Sequence, residues 1–273
     1  MNIGRGKTQS GWDYVHGPYG RHVKVAVLAS GGKDSTYSSW WAMMQGWDIE
    51  ALVTLVITGD DSMMFQVQNT AVAGLQASAM GVPWIPIASE GEEVIEVQDL
   101  EDAIRGLHNP NAALEKIWPK EFRRPEEMKI KEDGLEIDGL IVGALRSDYQ
   151  KTNIEMMCER LGIRSYCPLW HNDSFNHMSS LIEHGFEVVF TSVSCEGMDS
   201  SWLGRVLDKD SLLQLSELST NYRFNLDGEG GEFETIVTDA PHFERSIFCN
   251  GEALWEGSRG TWSIKKCELS GNR

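Results

Sequence analysis

The stretch Val23-Lys-Val-Ala-Val-Leu-Ala-Ser-Gly-Gly-Lys-Asp-Ser35 decides the fold of this chain. Its first seven residues form an apolar run of strand length, and Ser30-Gly31-Gly32 follows directly. Beyond the glycines, large side chains recur at the i, i+3, i+4, i+7 spacing of one helix face, at Tyr37, Trp40, Trp41 and Met44. The stretch therefore predicts a strand, a tight turn and a helix in that order.

Strands and helices continue to alternate after this stretch as far as residue 170. Further apolar runs of strand length are Ala51–Ile57, Trp84–Ile87 and 139–143. Helical patterns are expected over 65–80, 97–107 and 154–161. Continuous apolar strands suit a parallel sheet that is covered on both faces, and right-handed crossovers connect such strands. The pattern predicts an α/β fold with a doubly wound parallel sheet.

The pattern changes near residue 170, which divides the chain into parts. Short strands are expected beyond it, over 186–193, 235–237, 246–248 and 262–264. The glycine-rich and polar residues before Val23 are typical of a loose arm. We therefore expect a flexible N-terminal arm over 1–22, the doubly wound domain over 23–170 and a smaller α+β domain over 171–273. The polar segment 109–133 is expected to insert a loop or a short helix before the fourth strand.

Charge and composition exclude several classes of function. The chain has 24 Lys and Arg against 41 Asp and Glu, a formal net charge of −17. This charge disfavours binding to nucleic acid or to an anionic membrane. No apolar run approaches the roughly 20 residues that span a bilayer, and no apolar leader is present at the N-terminus. Because the 5 cysteines are odd in number and form no C-x-x-C pair, a disulfide framework is not expected and a cytoplasmic location is favoured.

The turn Ser30–Ser35 has the composition of a phosphate-binding loop. Its two glycines allow close backbone approach, and the helix N-terminus that follows offers free N–H groups and a positive dipole end. Ser30, Ser35 and Lys33 supply two hydroxyls and a cation, whereas Asp34 would repel phosphate unless Mg²⁺ lies beside it. A Walker A loop is excluded because Val27 stands at its first glycine position. The alternative is an ordinary strand–turn–helix junction.

Two further blocks carry polar groups that suit a ligand site. The block Val142–Lys151 follows the fourth strand, and ligands bind at the carboxyl ends of such strands. Ser147 or Asp148 in it could equally be a helix N-cap. The block Gly228–Thr235 crowds three carboxylates among three glycines, which is costly without a cation or a ligand. A solvated acidic turn is the alternative for this second block.

The Ser30–Ser35 loop resembles that of the PP-loop, or N-type, ATP pyrophosphatases, which have a HUP-like fold. Together with the two blocks it resembles the diphthine–ammonia ligase family over 23–243. Further shared stretches are 62–65, 74–83, 168–170, 201–205 and 239–241. This sequence departs from the family pattern at Gln66, where His is frequent, and at Lys151 and Asn153, where Arg is common.

This resemblance implies a reaction and its participants. Diphthine on elongation factor 2, ATP and ammonium would give diphthamide, AMP and pyrophosphate through an acyl-adenylate. The implied cofactors are ATP and Mg²⁺, bound by 23–170, while 171–273 would bind the substrate. A homodimer is left open. The alternatives are another PP-loop enzyme that acts on tRNA and a module that senses a nucleotide without chemistry.

The resemblance also implies roles for individual residues. The pyrophosphate would lie in a cradle formed by Ser30, Gly31, Gly32, Lys33 and Ser35. Asp34 would hold Mg²⁺, and the backbone near Ala29 and Ile57 would bind adenine. The implied catalytic residues are Lys33, Asp34, Ser147, Asp148, Glu232 and Glu234. The implied substrate-binding residues are Tyr149, Gln150, Gly228, Glu229, Gly230, Gly231, Glu232 and Glu234.

Three histidines outside these blocks do not predict a metal centre. His171, His177 and His184 are six and seven residues apart, so no pair has the i, i+4 spacing of a helical zinc site. We therefore expect no zinc at this cluster.

Overall fold

The computed structural model describes residues 22–57, 70–90 and 93–271. Its first sheet has five parallel strands in the order β3-β2-β1-β4-β5. These strands are β1 (Lys24–Leu28), β2 (Asp48–Ile57), β3 (Trp84–Ser89), β4 (Gly139–Val142) and β5 (Arg164–Tyr166). The associated helices are α1 (Lys33–Met44), α2 (Val72–Ala79), α3 (Glu93–Arg105), α4 (Pro110–Ile117) and α5 (Asp148–Leu161). The predicted α/β class is confirmed.

Helices cover both faces of the first sheet. Apolar residues of α3 and α5, such as Leu100 and Met157, pack against one face. Apolar residues of α1, α2 and α4, such as Ala42, Ala77 and Ile117, pack against the other face. This burial on both sides explains why the strands are apolar without alternation. The strand order reverses between β1 and β4, which is where ligands bind in sheets of this kind.

The second sheet is antiparallel and has the strand order β7-β6-β9-β8. Its strands are β6 (Glu187–Val193), β7 (Phe233–Asp239), β8 (Ile247–Glu256) and β9 (Arg259–Leu269). It is accompanied by α6 (Ser174–Glu183), α7 (Lys209–Tyr222) and a short 3₁₀ turn over Ser200–Trp202. The smaller α+β part that the sequence predicts is therefore present.

The helix α2 belongs to the cores of both sheets. Val72 and Leu75 are fully buried and pack in the same cluster as Phe190 and Ile236 of the second sheet. Residues on another side of α2 pack against the first sheet. The shared core holds β7 beside the turn that follows β1.

Several boundaries differ from the predictions. The strands of the hairpin β8–β9 are much longer than the predicted strands 246–248 and 262–264. The prediction is too short because much of β8 is exposed and therefore has a weak apolar pattern. The three-residue strand β5 was not predicted. The predicted helix over 65–80 corresponds to α2, which begins at Val72. Residues 65–69 and most of the expected arm over 1–22 lie outside the described residues.

The sequence disfavours a disulfide framework, yet the structure contains one disulfide. Cys249 and Cys267 lie directly opposite each other on β8 and β9 and are bonded. Sequence separation alone gave no sign of this pairing because the hairpin register creates it. Across the described ranges, no helix combines the length and the apolar character that crossing a bilayer requires.

Candidate active site

The turn after β1 leads directly into α1 and exposes backbone groups. Gly31 has a φ of 84°, a left-handed conformation that glycine adopts without strain. Gly32 is the N-cap residue of α1 and, as a glycine, supplies no side-chain cap of its own. A Cβ atom on Gly32 would lie 3.3 Å from the carbonyl oxygen of Thr235 on β7. The turn is therefore a helix N-terminus of the kind that binds anions, pressed against the second sheet.

The second sheet fixes this turn through hydrogen bonds. The carbonyl oxygen of Gly31 accepts from the backbone N–H of Val237 at 3.0 Å and from Nε2 of Gln76 at 2.9 Å. The same Gln76 amide donates to the carbonyl oxygen of Val237 at 2.8 Å. Lys33 donates its backbone N–H to Oγ1 of Thr235 at 3.3 Å. The conformation of the turn thus depends on β7 as much as on β1.

Lys33, which is buried, and Asp34, which is partly exposed, form a charge pair at the start of α1. Nζ of Lys33 donates to Oδ2 of Asp34 at 2.8 Å and lies 5.7 Å from the centre of the Phe233 ring. Oδ1 of Asp34 accepts from Nε2 of His177 at 2.7 Å. Burial alone would raise the pKa of Asp34, but Lys33 and His177 outweigh it and lower that pKa. Asp34 is therefore an anion held between two donors.

A cavity of about 330 Å³ opens between this turn and the acidic block Gly228–Thr235. Ser30, Gly32, Lys33 and Asp34 line one side of it. Leu55 and Ile57, at the carboxyl end of β2, add apolar groups, and Thr70 adds a hydroxyl. The opposite side consists of residues from the acidic block and β7, namely Gly228, Glu229, Gly231, Phe233, Glu234 and Thr235. A volume of this size is typical of a small-molecule site.

The three carboxylates of the acidic block differ in their surroundings. Glu229 lines the cavity, and its Oε1 accepts the backbone N–H of Arg146 at 2.9 Å. Glu232 instead accepts from the backbone N–H and the amide of Asn225, both at 2.9 Å, and from the N–H of Gly230 at 2.8 Å. Glu234 lies on β7 and lines the cavity. Glu229 and Glu234 thus line the cavity, whereas Glu232 holds the turn together.

Arg146 connects the acidic block to the rest of the site. Its guanidinium donates to Oδ2 of Asp227 at 2.8 Å, to Oγ of Ser174 at 2.8 Å and to the carbonyl oxygen of Asn172 at 3.1 Å. Asp227 is fully buried. Burial would raise the pKa of Asp227, but the donors Ser174 and Arg146 lower it below its ordinary value. Arg146 thus joins the end of β4, the start of α6 and the acidic block.

The remaining residues of the predicted site lie in several places. Ser35 is buried, and its hydroxyl donates to the carbonyl oxygen of Gly32 at 3.3 Å. The backbone N–H of Ala29 donates to the carbonyl oxygen of Val53 at 2.8 Å, as in a continuing sheet. Ser147 directly precedes α5 and Asp148 is its first residue, and neither is among the described residues that line the cavity.

Two sequence-predicted groups have no described side chains. Tyr149 and Gln150 belong to α5, but their side chains lie outside the described part. The stretch 62–65 and Gln66 lie outside it as well.

Three residues of the site were missed by the sequence analysis: Gln76, Arg146 and His177. Gln76 is a single amide within an otherwise apolar helix, a pattern that signals a buried hydrogen bond. Arg146 lies within the block 142–151, but nothing in the spacing of that block indicates its role. The spacing of His177 was tested for a metal site alone. Its contact with Asp34 spans 143 residues, and no local spacing reveals it.

Comparisons with known proteins match almost the whole described chain. The family model described as "Diphthamide synthase N-terminal domain" matches residues 23–124 and 114–165, and "Diphthamide synthase C-terminal domain" matches 173–269. Proteins named diphthine–ammonia ligase are similar to this chain. The Bos taurus protein is 30% identical over 244 residues, which cover 85% of this chain and 85% of its own. The Rattus norvegicus protein is 30% identical with 91% of each covered, and the Danio rerio protein is 31% identical with 82% and 86% covered.

The first prediction concerns Gln76. We expect Gln76→Met to lower the free energy of unfolding by about 1–3 kcal/mol, because the carbonyl oxygen of Val237 loses a donor in a buried position. The same substitution should weaken binding of an ATP analogue, since the turn loses a hydrogen bond at Gly31. Urea unfolding and calorimetric titration measure the two effects. Gln98→Met on α3 is the control, and equal behaviour of the two variants would contradict the assignment.

The second prediction concerns Arg146. Arg146→Met leaves the buried carboxylate of Asp227 without its cation, and we expect a loss of about 3–5 kcal/mol in the free energy of unfolding at pH 7. The loss should shrink as pH falls, because a protonated Asp227 needs no cation. Chemical unfolding at several pH values measures it. The double variant Arg146→Met, Asp227→Leu should recover part of the stability, and no recovery would refute this explanation.

Proposed function

The chain belongs to the diphthamide synthase family, and we propose that it catalyses the ATP-dependent amidation of diphthine with ammonium. One observation carries this proposal: an anion-binding turn and two ligand-facing carboxylates, Glu229 and Glu234, line opposite sides of a single cavity. A nucleotide and a second, cationic reactant can therefore meet there. The relatives named diphthine–ammonia ligase support the same reaction.

The chemistry explains why a nucleotide is needed. A carboxylate is a poor electrophile because its negative charge repels nucleophiles. Attack of its oxygen on the α-phosphorus of ATP forms an acyl-adenylate and releases pyrophosphate. Ammonium gives up a proton and attacks the acyl carbon as ammonia, the carbon–oxygen bond to the phosphate breaks, AMP leaves, and the new nitrogen releases a second proton to give the neutral amide. Catalysis of these steps requires mainly the positioning of reactants and the neutralisation of charge.

We assign the pyrophosphate to the turn at the start of α1. The N-terminus of α1 at Gly32 and the ammonium of Lys33 supply donors and positive charge. Ser30 lines the same wall, while Gly31 and Ser35 shape the turn. Adenine would lie near Ile57, the last residue of β2, which lines the cavity. In the structure Ala29 contributes to the sheet rather than to the wall, so its proposed role is indirect.

The residues around Asp34 fit a Mg²⁺ ion that is held together with phosphates. Each carboxylate oxygen of Asp34 accepts one hydrogen bond and retains a second lone pair. Among the described residues no cluster of three metal-ligating side chains occurs, which suits an ion that takes one carboxylate, waters and substrate oxygens. When bound, Mg²⁺ would neutralise part of the charge on the phosphates.

We assign the substrate side of the cavity to the acidic block. Glu229 and Glu234 would attract ammonium and the trimethylammonium group of diphthine. Gly228, Gly230, Gly231 and Glu232 would shape this wall, with Glu232 acting through its hydrogen bonds to the turn. Ser147, Asp148, Tyr149 and Gln150 would contact the substrate protein or its modified side chain. In this division 23–170 binds ATP and 171–273 binds the modified side chain.

The proposed protein substrate is elongation factor 2 carrying diphthine, and the proposed location is the cytoplasm. The net charge of −17 disfavours direct binding of nucleic acid. It thus weighs against the alternative of a PP-loop enzyme that acts on tRNA. A homodimer is compatible with this proposal and is not required by it.

The third prediction tests the reaction and the role of Lys33. Purified diphthine-bearing elongation factor 2, incubated with ATP, ammonium and this protein, should change in mass as diphthamide forms, with AMP and pyrophosphate released. We expect Lys33→Ala to lower the rate by about 10²–10³-fold, because a preorganised cation is lost from the developing phosphate charge.

Lys120→Ala is the control for Lys33→Ala, since the side chain of Lys120 is 92% exposed. Wild-type turnover by Lys33→Ala would refute the cradle. Release of ADP instead of AMP would refute the reaction. Pyrophosphate release that depends on tRNA would favour the tRNA-modifying alternative, and ATP binding without release would favour a sensing module.

A further inference from the structure

We propose that His177 is a positioning residue for nucleotide binding, which it supports by orienting the carboxylate of Asp34. This inference rests on the proposed function, because it assumes that the cavity binds ATP with a divalent cation. It adds a residue to the site that lies on α6, outside the phosphate-binding turn and outside the acidic block.

The contacts of the imidazole carry the inference. His177 is 3% exposed, and its Nε2 lies 2.7 Å from Oδ1 of Asp34. Because an ionised carboxylate only accepts hydrogen bonds, Nε2 is the donor. Within the described part of the chain, the buried Nδ1 has no hydrogen-bond partner. Among the described residues, the imidazole therefore has Asp34 as its one hydrogen-bond partner.

Packing alone does not explain a histidine at this position. The ring is buried and meets Tyr37 edge-on, with centroids 5.5 Å apart, a contact that needs no polar atom in the side chain at this position. A buried nitrogen without a partner costs free energy that an apolar side chain would not incur. The one polar gain that offsets this cost is the hydrogen bond to Asp34.

The hydrogen bond from His177 determines how closely the carboxylate of Asp34 pairs with Lys33. Oδ1 is held by His177, while Oδ2 accepts from Nζ of Lys33 at 2.8 Å. Without His177, both oxygens would be free to turn toward Lys33. A tighter pair of Lys33 and Asp34 would compete with phosphate for the ammonium and with the cation for the carboxylate. His177 thus keeps both charges available to the ligand.

The start of α6 is itself held by hydrogen bonds, which fixes the position from which His177 reaches Asp34. Asp173 caps the helix by accepting the N–H of Asn176 at 2.9 Å, and Arg146 donates to Ser174 at 2.8 Å. His177 follows one turn later on the same helix. The acidic block and the phosphate-binding turn are therefore both connected to α6.

The fourth prediction compares two substitutions in the full-length protein. His177→Leu fills the space without a donor, whereas His177→Gln places an amide N–H near the position of Nε2. Calorimetric titration with α,β-methylene-ATP and Mg²⁺, without elongation factor 2, should show about tenfold weaker binding for His177→Leu, as expected for the loss of one hydrogen bond to a charged group. His177→Gln should stay within about threefold of wild type.

Matched variants separate orientation of Asp34 from packing. His184→Leu, at the end of the same helix, contacts Tyr37 but not Asp34 and should bind like wild type. In an Asp34→Asn background, His177→Leu should have less than about a twofold further effect, because the two residues act as one unit. Thermal unfolding of each variant establishes that the titrations are made on folded protein.

Each outcome supports or overturns the proposal. It is overturned if His177→Leu binds the analogue like wild type, or if His177→Gln is as impaired as His177→Leu, which would indicate packing alone. Wild-type protein that fails to bind the analogue would overturn the proposed function itself. Normal binding by wild type and by His177→Leu would overturn only the role of His177.

Discussion

The hydrogen bonds to the carbonyl oxygen of Gly31 are the constraint on which the site depends. One donor is the backbone of Val237 in the second sheet, and the other is the buried amide of Gln76 on α2. A glycine turn at the end of a strand could adopt many conformations. Two donors on one oxygen select a single conformation, in which the helix N-terminus faces the acidic block. The position of the phosphate-binding groups is therefore a product of both sheets.

Paired charges connect the elements around the cavity. The chain is strongly acidic overall, yet the carboxylates that hold the site together have basic or polar partners: Asp34 has Lys33 and His177, and Asp227 has Arg146 and Ser174. Such pairs are costly to break in a buried position, so they determine which segments stay together. Glu229 and Glu234 differ from them in position, because both line the cavity.

Local patterns predicted the fold better than the site. The apolar runs around 25–28, 51–57 and 139–142 became buried parallel strands, because burial on both faces leaves a continuous apolar pattern. The length of the hairpin β8–β9 and its disulfide were missed, because much of β8 is exposed and cross-strand register decides which cysteines meet. The glycine turn was recognisable from its composition, whereas the contact of His177 with Asp34 depends on tertiary structure. The roles assigned to single residues of the acidic block stay predictions.

The position of α2 has a consequence for dissecting this protein. One side of the helix completes the interior of the first sheet, and Val72 and Leu75 complete the interior of the second. A fragment truncated near residue 170 would expose the apolar side of α2 to solvent and is expected to aggregate. The complementary C-terminal fragment would have a cavity in its core in place of α2. Substitutions in the two halves are thus expected to depend on each other. A hybrid protein that combines halves from distant relatives will need α2 and the C-terminal half from the same relative.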